Sequence, residues 1–457
     1  MADSPSLCIP LKFPDLTLTP NDRFMDTAFT GEELRNTVSF DPDRHLRDDG
    51  GEGLLDEILS LLAATENRKR ALKLSDAERR RVTASTLLGN LAAAAINRVD
   101  PKRFVTVSFN RNSYAGSGLG VATMTALRDA LLERKMIEGR AGVRTVGMFD
   151  DVRSSLTRLR AAPALLDLFD QHGIGYPSIA RRLDRGVIVL KDRRHGVDPD
   201  PPDEVALTAP VIEGMNRLIA GAVINLPDDA WDRIIARHAA AATKDQKERA
   251  DAGDLAATAL YRSFKHDWQH GGRMYGGWWI GLPKEERPLL TINGERTIEL
   301  DYSQLHPSIL FARVGRPLNF DLYTLPGLDS PALREVGKDT FMRLLNRTAE
   351  KGAPPVVRMR AKDRKLLPPG ITPEEYMRRF LAQMEPICRW LSTGEGTRLQ
   401  KEDSDLAIAI LSDMSSLGIV VLPVHDSFIV QEKHGETLKG SMISNYKKKH
   451  GLIPHIR

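Results

Sequence analysis

The sequence contains very little cysteine. Its 457 residues include only Cys8 and Cys388, which excludes a disulfide framework and a Cys-rich zinc cluster and fits a reducing intracellular compartment. No apolar run reaches the roughly 18 residues that can span a bilayer. The first residues also lack the basic and apolar regions of a secretory signal. We therefore expect a cytoplasmic protein that has no membrane partner.

A strong charge imbalance is also missing. The chain has 65 Lys and Arg against 61 Asp and Glu, a net charge of +4, which permits a nucleic-acid partner without indicating one. The chain is 41% hydrophobic and 28% charged, which is ordinary for globular proteins and excludes a disordered chain, a collagen-like fibre and a coiled-coil rod. At roughly 150 residues per domain, the length predicts about two to four domains.

Several common catalytic motifs are absent. The sequence shows no Ser-His-Asp constellation and no H-E-x-x-H zinc site. The Gly-rich segment 116–120 lacks both the P-loop lysine and the dinucleotide-binding spacing, so we interpret it as a turn.

The N-terminal half mixes helical and strand patterns. Residues 52–98 carry apolar residues at helical spacing, and Phe104–Phe109 alternates like a strand. An amphipathic helix is predicted over Thr123–Ile137, and a hairpin over Glu138–Phe149. A helix followed by a basic hairpin is typical of winged-helix modules. The basic residues either lie along nucleic-acid phosphates or form a solvated face, and both interpretations stay open. These residues are Arg128, Arg134, Lys135, Arg140 and Arg144.

Composition also suggests where the chain divides. Asp192–Glu204 is rich in turn residues and proline, which indicates a linker or exposed loop, and residues 205–260 return to a helical pattern. We therefore predict four segments. They are an N-terminal arm and helical region (1–100), a winged-helix-like α+β module (101–200), a helical connector (201–262) and a catalytic α/β domain (263–457).

Two aspartates stand at the ends of predicted strands. Asp301 ends the alternating run that begins at Ile298, and Asp426 lies at the turn between apolar strands over 420–424 and 428–430. Carboxylates on adjacent strands can hold two Mg²⁺ ions roughly 3.5–4 Å apart, as in-line phosphoryl transfer requires. Either aspartate alone is more often a cap or a turn former, so this interpretation depends on what lies between them.

A row of side chains with four-residue spacing lies between the two aspartates. Arg334, Lys338, Met342 and Asn346 fall on one face of a predicted helix. The two cations suit the phosphates of a nucleoside triphosphate, and Met342 suits its base or sugar. By itself the pattern is more often a mixed, solvent-facing surface.

The order of these segments resembles the palm of single-subunit polymerases, the family A DNA polymerases and phage-type RNA polymerases. Asp301–Gln304 resembles their motif A, which begins with a metal-binding aspartate. Arg334–Met342 resembles the motif B pattern Arg-x3-Lys-x3-(Phe or Met)-x3-Tyr, with Asn346 in the place of the tyrosine. His425–Phe428 resembles motif C, especially in its phage RNA polymerase form.

Two further segments extend this resemblance to about residues 260–457. Gly272–Tyr275 is similar to the Gly-Arg element that contacts the primer-template, which gives Arg273 and Tyr275 that role. Gln400 is similar to the glutamine of the Gln-x4-Asp helix before motif C. The resemblance implies a right-hand polymerase palm with reduced fingers, preceded by a helical and winged-helix-like half. It also implies that the connector is thumb-like.

The sequence departs from the family at two places that concern the sugar. Leu305–Ser308 resembles family B, where a bulky tyrosine before Pro-Ser packs beneath the incoming sugar and blocks a 2′-hydroxyl. Here the bulky residue is His306, which favours deoxynucleotides. Asn346 replaces a tyrosine that supports the nascent base pair, so sugar choice and fidelity stay open.

The resemblance implies a role for each matched residue. Asp301, Asp426 and Lys338 would be catalytic, with the two aspartates as ligands of Mg²⁺ or, alternatively, Mn²⁺. Nucleotide binding would involve Arg334, Lys338, Met342, Asn346 and His306. Primer-template binding would involve Arg273, Tyr275, Gln400 and His425. Replication proteins are expected as further partners, and no acidic exonuclease pattern precedes residue 260.

Three functions remain open at this point. The preferred one is a compact DNA polymerase of a phage or mobile element, acting in the cytoplasm of a bacterial or phage-infected cell. The second is an RNA-synthesising polymerase or primase. The third is a DNA-binding replication protein whose palm no longer catalyses.

Overall fold

The computed structural model has a mixed α and β fold, as the sequence predicts, and its sheets are small. The residues that it describes are 29–31, 33–65, 73–114, 117–142, 144–146, 152–154, 156–181, 186–190, 200–240, 253–349 and 357–457. No helix in these ranges is long and apolar enough to cross a membrane.

The chain divides into two compact units. The first unit comprises residues up to 96 together with 101–180, and the second comprises 97–100 together with 181–457. These boundaries differ from those of the four predicted segments, whose roles stay a prediction. Several predicted features lie outside the described residues. They are Cys8 and the arm up to residue 28, Gly116 of the Gly-rich turn, residues 192–199 of the linker and residues 241–252 of the helical region predicted over 205–260.

Four α-helices lie in the described residues of the first unit. The predicted helical region over 52–98 becomes two of them, and its apolar spacing is confirmed because Leu54, Ile58, Leu87 and Leu91 are all at most 1% exposed. The amphipathic helix predicted over 123–137 is confirmed, but it begins at Val121 and ends at Glu133, and Ile137 belongs to the next strand. The helices are α1 (Asp48–Thr65), α2 (Leu74–Ala95), α3 (Val121–Glu133) and α4 (Pro163–Gln171).

The part of this unit that the structure describes also contains eight short strands. They are β1 (Thr37–Ser39), β2 (Arg44–Leu46), β3 (Phe104–Val107), β4 (Ile137–Arg140), β5 (Arg144–Val146), β6 (Val152–Ser154), β7 (Thr157–Ala161) and β8 (Ile179–Arg181). One sheet has the order β1-β3-β7-β4, and β2-β8 and β5-β6 form separate pairs.

The predicted hairpin over Glu138–Phe149 is wrong in its extent. Strand β4 pairs with β7, with Ile137 opposite Ala161, and β5 pairs with β6, with Arg144 opposite Ser154. The paired arms therefore span residues 137–161. Alternating residues continue through β6 and β7. The hairpin was predicted to end too early because these later strands were not included in it.

The second unit is built on two sheets, a larger antiparallel one and a smaller mixed one. The larger sheet has the order β10-β13-β14-β16-β15, and the smaller one has the order β12-β11-β9, with β9 parallel to β11. The strands are β9 (Ile188–Leu190), β10 (Ile224–Asn225), β11 (Tyr261–Phe264), β12 (Gly271–Tyr275), β13 (Thr291–Ile292), β14 (Glu295–Asp301), β15 (Leu422–Val424) and β16 (Ser427–Gln431).

Helices surround these sheets, and one apolar core unites them. Trp279, Ile309, Phe341 and Leu411 are completely buried in that core. The helices are α5 (Asp203–Ala206), α6 (Ala209–Ala220), α7 (Asp228–Ala240), α8 (Leu305–Ala312), α9 (Pro331–Asn346), α10 (Ala361–Arg364), α11 (Pro373–Gln383), α12 (Gly396–Ser416) and α13 (Gly435–His450).

Local sequence determines where helix α9 begins. The hydroxyl of Ser330 accepts a hydrogen bond from the backbone N–H of Leu333 at 3.3 Å, and Pro331 occupies the first helical position. Such a cap satisfies a backbone donor that the helix itself leaves free. The helix then runs to Asn346, so the whole row with four-residue spacing lies on it.

Candidate active site

The two predicted metal-binding aspartates lie on neighbouring strands. Asp301 is the last residue of β14, as predicted, and it stands opposite Ser427, the first residue of β16. Asp426 immediately precedes Ser427. Antiparallel pairing of β14 and β16 therefore brings both carboxylates to the same end of the sheet, although more than a hundred residues separate them in the chain.

The turn that carries Asp426 is strained. Val424 pairs with Ser427, so His425 and Asp426 form a two-residue turn between β15 and β16, which confirms the predicted hairpin. His425 has a φ of +60°, in the left-handed region that suits glycine or asparagine. Gln304, before α8, also has a left-handed φ of +54°. Such backbone strain is concentrated at functional sites in proteins.

Most predicted site residues line one cavity of about 760 Å³, which we call the Asp301 cleft. Its walls come from the ends of β14 and β16, the start of α8 and one face of α9. Predicted residues in its lining are Arg273, Asp301, His306, Arg334, Lys338, Met342, His425 and Asp426. The structure thus brings together side chains from five separate segments.

Three predicted residues lie outside the lining of this cleft. The Asn346 amide donates to the backbone oxygen of Met342 at 2.8 Å, and it packs against Gly396 so closely that a Cβ there would lie 2.1 Å from its oxygen. Gln400 is half-buried on α12. Tyr275 stands beside the cleft, with its ring centre 6.4 Å from that of His425.

The Asp301 carboxylate is bound by an arginine that the sequence did not reveal. Arg457 donates two hydrogen bonds to Asp301 Oδ2, from Nη2 at 2.6 Å and from Nε at 3.0 Å. Their backbones also exchange two hydrogen bonds of 3.0 Å. Burial raises the pKa of Asp301, Asp426 and Glu299 raise it further, and Arg457 acts in the opposite direction. Asp301 therefore lies near two other carboxylates, and Arg457 partly offsets their effect on its pKa.

A third carboxylate lies on the same face of β14. Glu299 accepts hydrogen bonds from Arg287 at 2.8 and 2.9 Å and from the hydroxyl of Ser427 at 2.6 Å. Because these contacts occupy both of its oxygens, Glu299 connects β14 to the start of β16. It supports the position of Asp301 from two residues away.

A buried carboxylate connects two predicted site residues on another wall. Asp403 of α12 accepts a hydrogen bond from His306 Nε2 at 2.8 Å and another from Arg273 Nη2 at 2.6 Å. His425 stands near Arg273. Burial lowers the pKa of His425 below its usual value and Arg273 lowers it further, so its imidazole is neutral near pH 7.

The two cationic side chains of α9 that line the Asp301 cleft differ in whether they are already paired with a carboxylate. Arg334 donates to Asp321 Oδ2 at 2.6 Å, and its guanidinium lies 5.4 Å from the ring centre of Tyr323. Lys338 is exposed and has no ion-pair partner among the residues that the structure describes. Of the two α9 cations that line the Asp301 cleft, Lys338 is therefore free to meet an entering anion, whereas Arg334 is already paired.

The donor set of the Asp301 cleft fits Mg²⁺. Mg²⁺ prefers oxygen ligands, and it is usually held by one or two carboxylates together with water and substrate phosphates. Within the described ranges, no group of three or more His, Cys, Asp or Glu side chains is arranged to hold an ion. Asp301 and Asp426 provide the two carboxylates of such a site. Burial is the main cause of the raised pKa of Asp301, the negative charge of Asp426 adds to it, and a bound cation would oppose both effects.

Sequence reasoning missed four residues that shape this site. Arg457, Asp403 and Tyr323 contact predicted site residues, and Glu299 bonds Ser427 beside Asp426. Asp403 lies within the Gln-x4-Asp segment, but at a position that this motif leaves open. Glu299 had a local signal, because it lies two residues before Asp301 on the same face of a strand. The other three come from distant segments, and only the fold places them here.

Comparison with known proteins gives no family for this chain. No protein-family model matches it, and no curated protein matches it. The polymerase resemblance therefore stays a prediction.

Proposed function

We propose that this protein is a template-directed nucleotidyltransferase, a compact DNA polymerase that extends a primer. The observation that carries this proposal is the pairing of β14 with β16. It places Asp301 and Asp426 at one end of the sheet, in a cleft that Lys338 and Arg334 also line. Two carboxylates and two cations in one cleft suit a reaction in which a 3′-hydroxyl attacks the α-phosphate of a nucleoside triphosphate and pyrophosphate leaves.

Each wall of the Asp301 cleft has a part in this reaction. Asp301 and Asp426 would hold Mg²⁺. Bound there, Mg²⁺ would activate the attacking 3′-hydroxyl and offset the charge of the leaving pyrophosphate. Lys338 is free to bind the triphosphate, and Arg334 joins it by exchanging Asp321 for phosphate. Met342, one turn further along α9, packs on the base or sugar.

The other predicted residues act on the nucleic acid. Arg273, Tyr275 and His425 lie together beside Asp426, where the primer terminus must come. Gln400 lies on α12, whose residue Asp403 bonds Arg273. We therefore assign these side chains to the primer-template. Replication proteins are further proposed partners.

The substitution Asp426→Asn tests this proposal. It keeps the shape of the turn but removes a negative charge, so extension of a labelled primer on a single-stranded template with Mg²⁺ or Mn²⁺ should fall by at least about a hundredfold. Asp232→Asn, which changes an exposed carboxylate on α7, is the matched control and should extend like the wild type.

Supplying dNTPs and NTPs in parallel tests the second candidate function, RNA synthesis. Ser427 after Asp426 favours that candidate, because it resembles the phage RNA polymerase motif. Preferred incorporation of NTPs would replace our assignment with RNA synthesis. DNA binding with no incorporation of either sugar would favour the non-catalytic replication protein.

A further inference from the structure

Asp403 is the most completely buried carboxylate beside the Asp301 cleft. Its side chain has no exposed area. Asp403 Oδ2 accepts from both His306 at 2.8 Å and Arg273 at 2.6 Å, and Oδ1 accepts a longer bond of 3.4 Å from Arg273 Nε. A buried carboxylate is stable only when donors replace the lost water. Asp403 therefore requires these two partners, and it fixes both of them relative to α12.

The bond to Asp403 determines how His306 is held. His306 is the second residue of α8, its side chain is 8% exposed, and it lines the cleft a few residues after Asp301. When Nε2 donates to a carboxylate, the ring orientation and the tautomer are both fixed. The imidazole then presents one defined edge to the cleft and cannot rotate away from a bound ligand.

We propose that Asp403 is a positioning residue for sugar selection, which holds the His306 ring where it excludes a ribose 2′-hydroxyl. The inference rests on the proposed function, since it requires an incoming nucleoside triphosphate in the Asp301 cleft. Rejection by bulk depends on a ring that stays in place. A ring without its hydrogen bond can turn aside and admit either sugar.

The test is the ratio of kcat/KM for a dNTP to that for the NTP with the same base, in single-nucleotide primer extension by the full chain. In Asp403→Asn, we expect this ratio to fall about tenfold, because the bond to a charged acceptor is lost. The matched control is Asp405→Asn. Asp405 lies two residues further along α12 and bonds the fully buried Arg262 instead of His306. It should leave the ratio unchanged.

A double variant shows whether Asp403 acts through His306. His306→Ala alone should lower the ratio, and adding Asp403→Asn should lower it no further, because the ring that Asp403 holds is already absent. An additional loss in the double variant would overturn the proposal. So would an equal loss with both sugars in Asp403→Asn, which is the result expected if only the Arg273 contact matters.

His306→Phe keeps the proposal testable if Asp403→Asn does not fold. Phenylalanine retains a bulky ring but cannot donate to Asp403, so the ratio should fall as in Asp403→Asn. A ratio that stays at the wild-type value would show that bulk alone suffices and would overturn the role of Asp403. A wild-type chain that incorporates neither sugar would overturn the proposed function and this role together. An active chain with an unchanged ratio in these variants would overturn only the role.

Discussion

Arg457 places a positive charge directly on the carboxylate of Asp301. Its guanidinium is 57% exposed, yet it donates two hydrogen bonds to Asp301 and is fixed by backbone hydrogen bonds to the same residue. The hydrogen bond to Asp301 raises the pKa of Arg457, so its charge persists over the physiological range. A divalent ion that binds Asp301 must therefore compete with a positive charge that is already present.

Replacing Arg457 should strengthen divalent-ion binding. In Arg457→Gln, we expect Mn²⁺ to bind about two- to fivefold more tightly, because a partly exposed ion pair of roughly 0.5–1 kcal/mol no longer opposes it. Titration of Mn²⁺ followed by electron paramagnetic resonance measures this affinity without any turnover.

Arg296→Gln is the control for this measurement. Arg296 lies on β14, as Asp301 does, but its side chain is 87% exposed and pairs with Glu432. Its replacement therefore changes the net charge by the same amount without removing a partner of Asp301. An equal gain in both variants, or none in Arg457→Gln, would contradict a direct competition. Asp301→Asn should abolish the binding that Arg457→Gln improves.

Helix α9 depends on a glycine for its position. Gly337 lies between Arg334 and Lys338, and a Cβ at this residue would stand 2.0 Å from the backbone oxygen of Tyr323. Backbone cannot give way as a flexible side chain does. The helix can therefore approach the segment around Tyr323 only because residue 337 has no side chain.

The substitution Gly337→Ala should move or destabilise α9. We expect the free energy of unfolding to fall by about 1–3 kcal/mol through overpacking. The KM for the nucleotide should also rise, since Arg334 and Lys338 move with the helix. Gly440→Ala is the matched control in α13, where nothing lies within 4 Å of the added carbon. This control substitution should raise the free energy of unfolding by about 0.5–1 kcal/mol, because alanine has a higher helix propensity than glycine. Chemical denaturation compares the two, and equal effects would contradict the packing argument.

The end of helix α13 should make stability depend on pH. Burial lowers the pKa of His450 below its usual value of about 6.5, although Glu402 partly opposes this effect. As the pH falls, His450 therefore becomes protonated in the unfolded chain at a higher pH than in the folded chain. The contribution of His450 to stability is complete above pH 6.5 or so, and it is lost as the pH falls below that value.

Denaturation at a series of pH values tests the effect of His450. Between about pH 7 and 5, His450→Gln should remove part of the decline in the free energy of unfolding, at most about 1.4 kcal/mol per pH unit for one proton. A wild-type chain and a variant with the same pH dependence over that interval would contradict this assignment.

At the scale of the whole molecule, local features were predictable and distant contacts were not. Alternation identified Asp301 as a strand end, and four-residue spacing placed Arg334, Lys338 and Met342 on one helix. Both depend only on the period of the backbone. Asp403 and Arg457 were missed because their contacts depend on how α12 and residues 455–457 pack against motif A. The extent of the hairpin after α3 was predicted wrongly for the same reason. Strand β4 pairs with β7 and not with β5, the next strand along the chain.

The position of β14 also has a consequence for the growing chain. In the finished sheet it lies between β13 and β16, with Asp301 opposite Ser427. During synthesis at ~5–20 residues per second, the hundred or so residues between these strands take roughly 5–25 s to appear. Until then β14 is an edge with unpaired backbone groups, open to pairing with another nascent chain. The pairing of β14 with β16 creates the site. The delay before this pairing also leaves an interval in which the nascent chain can aggregate through β14.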